Sequence, residues 1–175
     1  LGRPLLRRDW IQAKSQGLIA LSGGRNGEVG QHLVAGRPQE AVTALQWLMS
    51  LFPDRYYLEL QRTGRENEED YLHSAVELAS AENCPVVATN EVCFLSQDEY
   101  DAHEARVCIG DGRTLNDPRR PRHFSEQQYL RTPEEMAALF EDIPEAIENT
   151  FHIAARCSTE IELGKAYLPD FPTPE

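Results

Sequence analysis

Hydrophobic positions along this chain fall either in short unbroken runs or in stripes of helical period. Leu18 to Ser22 (LIALS) is a short apolar run closed by Gly23 and Gly24, which predicts a buried strand ending in a tight turn. Helix-like sequence follows. From Pro38 to Leu51 the apolar side chains Ala41, Val42, Leu45, Leu48 and Met49 recur with a 3.6-residue period, and Pro38 is acceptable in the first turn. Phe52, Pro53 and Asp54 stop that helix. YYLEL from Tyr56 to Leu60 predicts a second strand, Glu66 to Ala81 a helix with a stripe through Tyr71, Leu72, Ala75, Val76 and Leu78, and PVVAT from Pro85 to Thr89 a third buried strand.

Strand, helix, strand, helix, strand with short connections implies right-handed crossovers and a parallel sheet covered by helices, an α/β domain. After Thr89 the strand signal ends. Asp98 to Ile109 reads as a helix, Asp111 to His123 as a polar loop rich in Pro and Arg, and Pro133 to Phe140 and Pro144 to Cys157 as helices, a helical appendage. Three parallel strands leave open edges, so further strands are expected before Leu1. The chain starts without Met and ends in the open run LPDFPTPE, which reads as a segment of something longer. In a (β/α) barrel the site would lie at the carboxyl ends of the strands, here Gly23 and Gly24, Arg62 to Gly64, and Asn90 to Cys93.

Composition narrows the classes. The 175 residues are 41% hydrophobic and 26% charged, with a mean hydropathy of -0.52, the profile of a globular domain large enough to need no disulfide or metal staple. Lys and Arg number 17 against 29 Asp and Glu, for a net charge of -12. Such a balance disfavours tight binding to a bare phosphate backbone, which relies on clustered cations. No run approaches the length of a membrane span and no signal peptide opens the chain, so a cytoplasmic protein is expected. Cys84, Cys93, Cys108 and Cys157 form no CxxC and are expected as reduced thiols, mostly packed in the core.

Several residues invite chemistry. Asn90, Glu91 and Cys93 directly follow a buried strand, where a carboxylate and a soft ligand would reach a metal, although a catalytic zinc needs at least three protein ligands. His103 lies one helical turn beyond Glu99 and beside Glu104, an acid-base pairing if both face a pocket and a packing histidine otherwise. His73 and His152 stand alone on predicted helices. The run from Leu21 to Gly27 (LSGGRNG) is placed like a phosphate cradle but lacks the P-loop Lys and the GxGxxG spacing, so a plain tight turn is the better reading. Arg113, Arg119, Arg120, Arg122 and His123 form a basic cluster, suited either to docking or to pairing with the acidic surface around it.

The stretch from Asp54 to Leu115 containing ATNEVCFL and AHE, the end AYLPDFPTP and the opening RDWIQAKSQGLIALSGGRNGEVG together resemble the alpha-subunit family of bacterial DNA polymerase III, over nearly the whole chain. The similarity is to the later part of that family's N-terminal PHP (polymerase and histidinol phosphatase) domain. It implies a partial PHP-type (β/α) barrel over residues 1–110, a loop and helical segment closing that domain over 111–168, and an extended linker toward the polymerase core over 169–175.

The resemblance also implies a site. Family members with a working cluster of up to three metals carry Cys or His after the SG turn and a D-x-H pair after the ATN strand end. The corresponding residues here are Gly24, Glu91 and Cys93. Gly24 has no ligand atom, Glu91 keeps a carboxylate on a longer arm, and Cys93 offers a thiol in place of an imidazole. The metal site is therefore expected to be degraded, with no metal, no cofactor and no catalytic residue in this segment. Magnesium and nucleotidyl transfer belong, by the same resemblance, to the polymerase core of the parent chain, which is also where DNA is expected. The expected role here is structural support and a docking surface for the proofreading exonuclease within the polymerase III holoenzyme, with Arg113, Arg119, Arg120 and Arg122 as the candidate docking loop. The alternatives are an active metal-dependent phosphoesterase or 3'-5' exonuclease, and an unrelated α/β binding module.

Overall fold

The computed structural model describes residues 6–160, 162–166 and 168; the linker expected over 169–175 lies outside the described residues. A helix α1 (Arg8–Lys14) comes first and is followed by strand β1 (Ala20–Leu21), a 3₁₀ turn (Gly24–Asn26), α2 (Glu28–Val34) and α3 (Pro38–Leu51). Then come β2 (Tyr56–Gln61), α4 (Glu68–Glu82) and β3 (Val86–Thr89). The strands are parallel in the order β1-β2-β3, with Ala20 opposite Tyr56 and the run Leu58 to Gln61 opposite Val86 to Thr89. This is the expected α/β architecture, with a sheet that is open and not closed into a barrel.

Two differences from the sequence reading have physical causes. Helix α1 carries only Trp10 and Ile11 as large apolar side chains, neither of them buried, so it shows no hydrophobic stripe. Strand β1 is two residues long instead of five: the Leu18 amide turns back onto the Ser15 carbonyl (3.2 Å) and the Leu18 side chain is exposed, so only Ala20 and Leu21 align in the ladder.

Strand β2 is central, and Tyr56, Tyr57, Leu58, Leu60 and Gln61 are all buried, as expected of a strand covered on both faces. Helix α4 buries the predicted stripe through Tyr71, Leu72, Ala75 and Leu78, and it begins two residues late because Asn67 adopts a left-handed conformation (φ 59°). Its last turn ends at Asn83, also left-handed (φ 53°), which suits a helix stop.

Beyond β3, a 3₁₀ turn (Gln97–Glu99) leads into α5 (Tyr100–Asp111), and a long irregular segment leads to α6 (Pro133–Leu139) and α7 (Pro144–Arg156). Helix α6 starts with a capping box: the Thr132 hydroxyl accepts from the Glu135 amide (3.2 Å), and the Glu135 carboxylate accepts from the Thr132 amide (2.8 Å). Helix α7 packs against β3, its Asn149 Nδ2 donating to the Val86 carbonyl (2.8 Å). Phe140 and Ala146 are fully buried in one core with Leu45, Leu58, Leu60 and Leu72. The carboxyl-terminal helices are thus part of the core and not an appendage; burying a side chain such as Phe140 contributes about 1.5–3 kcal/mol.

Candidate functional site at the carboxyl ends of the strands

The ends of the three strands meet, as the topology requires. At the end of β1, the Gly23 amide donates to the Glu59 carboxylate, and the Ser22 hydroxyl accepts from the Glu59 amide (2.9 Å). The amides of Asn26 and Gly27 turn back to the Gly23 carbonyl (3.2 and 3.0 Å). Any Cβ on Gly27 would sit 1.7 Å from the Ser22 carbonyl oxygen, so the backbone has closed on itself. The run is the tight turn that its sequence favoured, with these amides committed within the chain.

The end of β2 supplies most of the polar groups. Gln61, buried, donates through Nε2 to the Thr89 hydroxyl (3.1 Å), which in turn donates to Glu59 Oε1 (3.0 Å). The Arg65 guanidinium donates to Gln61 Oε1 (3.2 Å), to the Thr63 hydroxyl (2.9 Å) and to Glu68 Oε1 (3.2 Å), and lies 2.6 Å from Glu91 Oε2. Glu68 is only 3% exposed, and it accepts from the Thr63 and Gly64 amides and the Thr63 hydroxyl. Those amides belong to the turn between β2 and α4, so Glu68, the first residue of α4, ties that turn to the helix.

The end of β3 is covered by the segment before α6. Asn90 Nδ2 donates to the carbonyls of Gln127 (3.0 Å) and Tyr129 (2.7 Å), and Cys93 donates its amide to the Gln128 carbonyl (2.8 Å). Gln128 is fully buried and donates to the Glu91 carbonyl (3.2 Å), while the Ser125 hydroxyl donates to the Thr63 carbonyl. Glu91 has φ 44°, a left-handed conformation uncommon for a residue with a side chain and one that costs free energy unless its surroundings hold it.

Around Gly24, Glu91 and Cys93, the positions to which the resemblance points, the structure places other groups. Gly24 offers no donor, and a Cβ there would meet Gln61 Oε1 at 2.6 Å, so Gln61 fills the space a ligand would need. Glu91 faces the Arg65 guanidinium. The Cys93 thiol points to the Glu91 carbonyl (3.4 Å); burial pushes its pKa up, the Glu91 carboxylate adds to that, and Arg65 and Arg106 oppose it. Among the described residues no group of three or more His, Cys, Asp or Glu is arranged to hold a metal ion. A cleft of about 770 Å³ opens above the strand ends and is lined by Arg25, Arg65, Glu66, Glu91, Arg122 and His123 among others.

The other candidates have structural partners. Glu99 accepts from the Leu95 amide (2.8 Å) and the Ser96 amide (3.2 Å) in a capping box, so it is not available to His103. His103 is buried, with ring centroids 5.4 Å from Phe94 and 4.7 Å from Phe124, and burial followed by the Arg106 charge lowers its pKa. Glu104 forms a buried ion pair with Arg120, whose side chain is 8% exposed. Arg120 therefore anchors the loop to α5, while Arg113 and Arg119 lie at the surface beside Asp117 (3.5 and 3.3 Å) and Arg122 borders the cleft. His73 and His152 are exposed.

Sequence reasoning did not single out Gln61, Arg65, Glu68 or Gln128. One signal was available for two of them: Thr63 and Gly64 form a turn, and Arg65 and Glu68 stand three residues apart at the start of a predicted helix, the spacing of a facing pair. Gln128 carried no signal, because its role depends on a long loop returning to β3.

Comparison with known proteins places this geometry in a lineage. A PHP domain model matches residues 2–63. The chain is 56% identical over 173 residues to DNA polymerase III subunit alpha of Pseudomonas aeruginosa, covering 99% of this chain and 15% of that relative. It is 54% identical over 170 residues to the same subunit of Escherichia coli K12 and 48% identical over 171 residues to that of Vibrio cholerae, again with 15% of each relative covered. The chain thus spans about 15% of the length of the curated relatives it matches.

Proposed function

Because this chain belongs to the DNA polymerase III alpha-subunit family, we propose that it is a noncatalytic PHP-domain segment of a replicative polymerase, bracing the polymerase core and docking the proofreading exonuclease. The parent chain would then carry out magnesium-dependent DNA synthesis in the cytoplasm, with its acidic metal ligands outside this segment. In this reading residues 1–110 belong to the PHP barrel, 111–168 close it, and 169–175 lead toward the core. One observation carries the noncatalytic part: the Arg65 guanidinium, 11% exposed, stands between the Glu68 and Glu91 carboxylates, while Gly24 supplies no ligand atom. Metal-dependent hydrolysis needs ligands that fix the ion and activate water, and this donor set lacks them.

Docking is assigned to the loop between α5 and α6. The buried Glu104–Arg120 pair fixes the loop to α5 and leaves Arg113, Arg119 and Arg122 outward. The test is surface plasmon resonance between the full-length chain and the proofreading subunit. The triple charge reversal Arg113→Glu, Arg119→Glu and Arg122→Glu is expected to weaken association by about tenfold or more, since like charges suppress docking. A folded full-length chain with no measurable association would refute the docking role, and unchanged affinity in the reversed variant would move it to another surface.

A further inference from the structure

We propose that the Arg65 guanidinium is the resident cation of the strand-end site, holding Glu68 and Glu91 together and closing the site to divalent metal. Three observations converge on this residue. Arg65 is 11% exposed, in a position where an unpaired charge would be costly, and it is flanked by the carboxylates of Glu68 at the start of α4 and of Glu91 just after β3. Its donors meet acceptors of three kinds: the Gln61 amide oxygen, the Thr63 hydroxyl and the Glu68 carboxylate. Glu91, held at φ 44°, brings its Oε2 to 2.6 Å from the same guanidinium and has no hydrogen-bonding partner there, so the contact is one of charge.

Geometry makes the two kinds of cation mutually exclusive. A divalent ion bound to carboxylate oxygens sits roughly 2.0–2.6 Å from them. That volume is already taken by a guanidinium nitrogen lying 2.6 Å from Glu91 and 3.2 Å from Glu68. Arginine cannot vacate its charge by losing a proton, so the neutralisation is permanent at any pH at which the protein folds. Its planar array of donors also fixes direction, which a single ammonium does not, so Arg65→Lys would be an incomplete replacement.

The inference rests on the noncatalytic reading above and fails separately from it, because unchanged local order in the Arg65 variants would overturn this assignment alone, whereas partner association tests only the docking role. The experiment is hydrogen exchange by mass spectrometry on the full-length chain, read only in peptides spanning residues 56–70 and 86–95, with and without Mn²⁺. The variants are Arg65→Met, Arg65→Gln, Arg65→Lys and Glu91→Gln. Removing the charge in Arg65→Met and Arg65→Gln is expected to speed exchange of the Thr63 and Gly64 amides by about tenfold or more, with partial recovery in Arg65→Lys. Arg65→Met keeps the bulk, so its behaving like Arg65→Gln separates charge from packing. Wild-type exchange should be indifferent to Mn²⁺. Exchange in Arg65→Met within about twofold of wild type would overturn the proposal. So would Mn²⁺ protection of the wild-type peptides that Glu91→Gln abolishes.

Discussion

Placing a ligand-bearing side chain at Gly24 should destabilise the strand ends instead of restoring a metal site. Gly24 has φ 54°, and a side chain there costs about 1–2 kcal/mol for the left-handed backbone alone. The new Cβ would lie 2.6 Å from Gln61 Oε1 and 2.9 Å from Gln61 Cδ. Gln61 is the end of a flexible side chain, so it can retreat, but it is buried and engaged with Thr89 and Arg65. Giving up those two hydrogen bonds costs about 0.5–1.5 kcal/mol each. Gly24→Cys should therefore lower the local opening free energy by about 3 kcal/mol, a rise of about 100-fold in exchange. Hydrogen exchange in peptides covering 20–31 and 56–66 of the full-length chain reads it. Because the hydrogen-bond part of the cost runs through Gln61, Gly24→Cys combined with Gln61→Ala should cost less than the two single changes together, by about 1 kcal/mol or more. Exchange in Gly24→Cys within about twofold of wild type, or strict additivity in the double variant, would refute the account.

Two further outcomes follow from charges that the fold has fixed. Arg62 joins the end of β2 to the α6–α7 turn through a paired contact with Asp142 (2.6 and 2.8 Å) and a bond to the Leu139 carbonyl (2.7 Å); Asp142→Asn should cost about 1 kcal/mol, discounted for the exposure of the carboxylate. The Arg62 bond holds the Asp142 pKa below the ordinary value of 3.8, so this stabilisation is present above that value and is lost as pH falls through the lowered one; a wild-type advantage over Asp142→Asn that persists undiminished at about pH 2 would refute it. For His103 the folded pKa is lowered, chiefly by burial and then by Arg106, so the unfolded chain takes up the proton first and α5 should loosen as pH falls through 6.5. Opening free energies of α5 amides from exchange should decline between about pH 7.5 and 5.5 in wild type and stay flat in His103→Phe; equal slopes would refute the assignment.

The parts of the fold legible in sequence were those fixed by local periodicity. LIALS, YYLEL and PVVAT marked the strands, and the stripes through Leu45 and through Leu72 marked α3 and α4, because burial imposes a period on each. Helix α1 escaped notice because it buries no large side chain, and the membership of α7 in the core was hidden because Ala146 contributes little to any pattern. That the three strand ends meet was also legible, since parallel strands must present their carboxyl ends together. The chemistry there was not. The resemblance points to Gly24, Glu91 and Cys93, but nothing local in the sequence says that Gln61 fills the space above Gly24 or that Arg65 reaches across to Glu91.

Those hidden contacts also bear on why the strand ends are so densely polar. Left without partners, Glu59, Glu68 and Glu91 would be costly in a partly buried setting, where like charges repel and desolvation adds to the cost. Each has its own partners: Glu59 takes the Gly23 amide and the Thr89 hydroxyl, Glu68 takes the Thr63 and Gly64 amides of the β2–α4 turn together with Arg65, and Glu91 takes the charge of Arg65. Gln61 links the first set to the last through Thr89 and Arg65. The result is a continuous network that ties the end of β1 to the ends of β2 and β3, and from there through Gln128 and Ser125 to the loop before α6. Because that segment also carries the arginines assigned to docking at its other end, the polar network at the strand ends and the outward face of the loop are parts of one mechanically continuous unit. In the proposed noncatalytic role, these buried polar groups serve the order they impose on a surface.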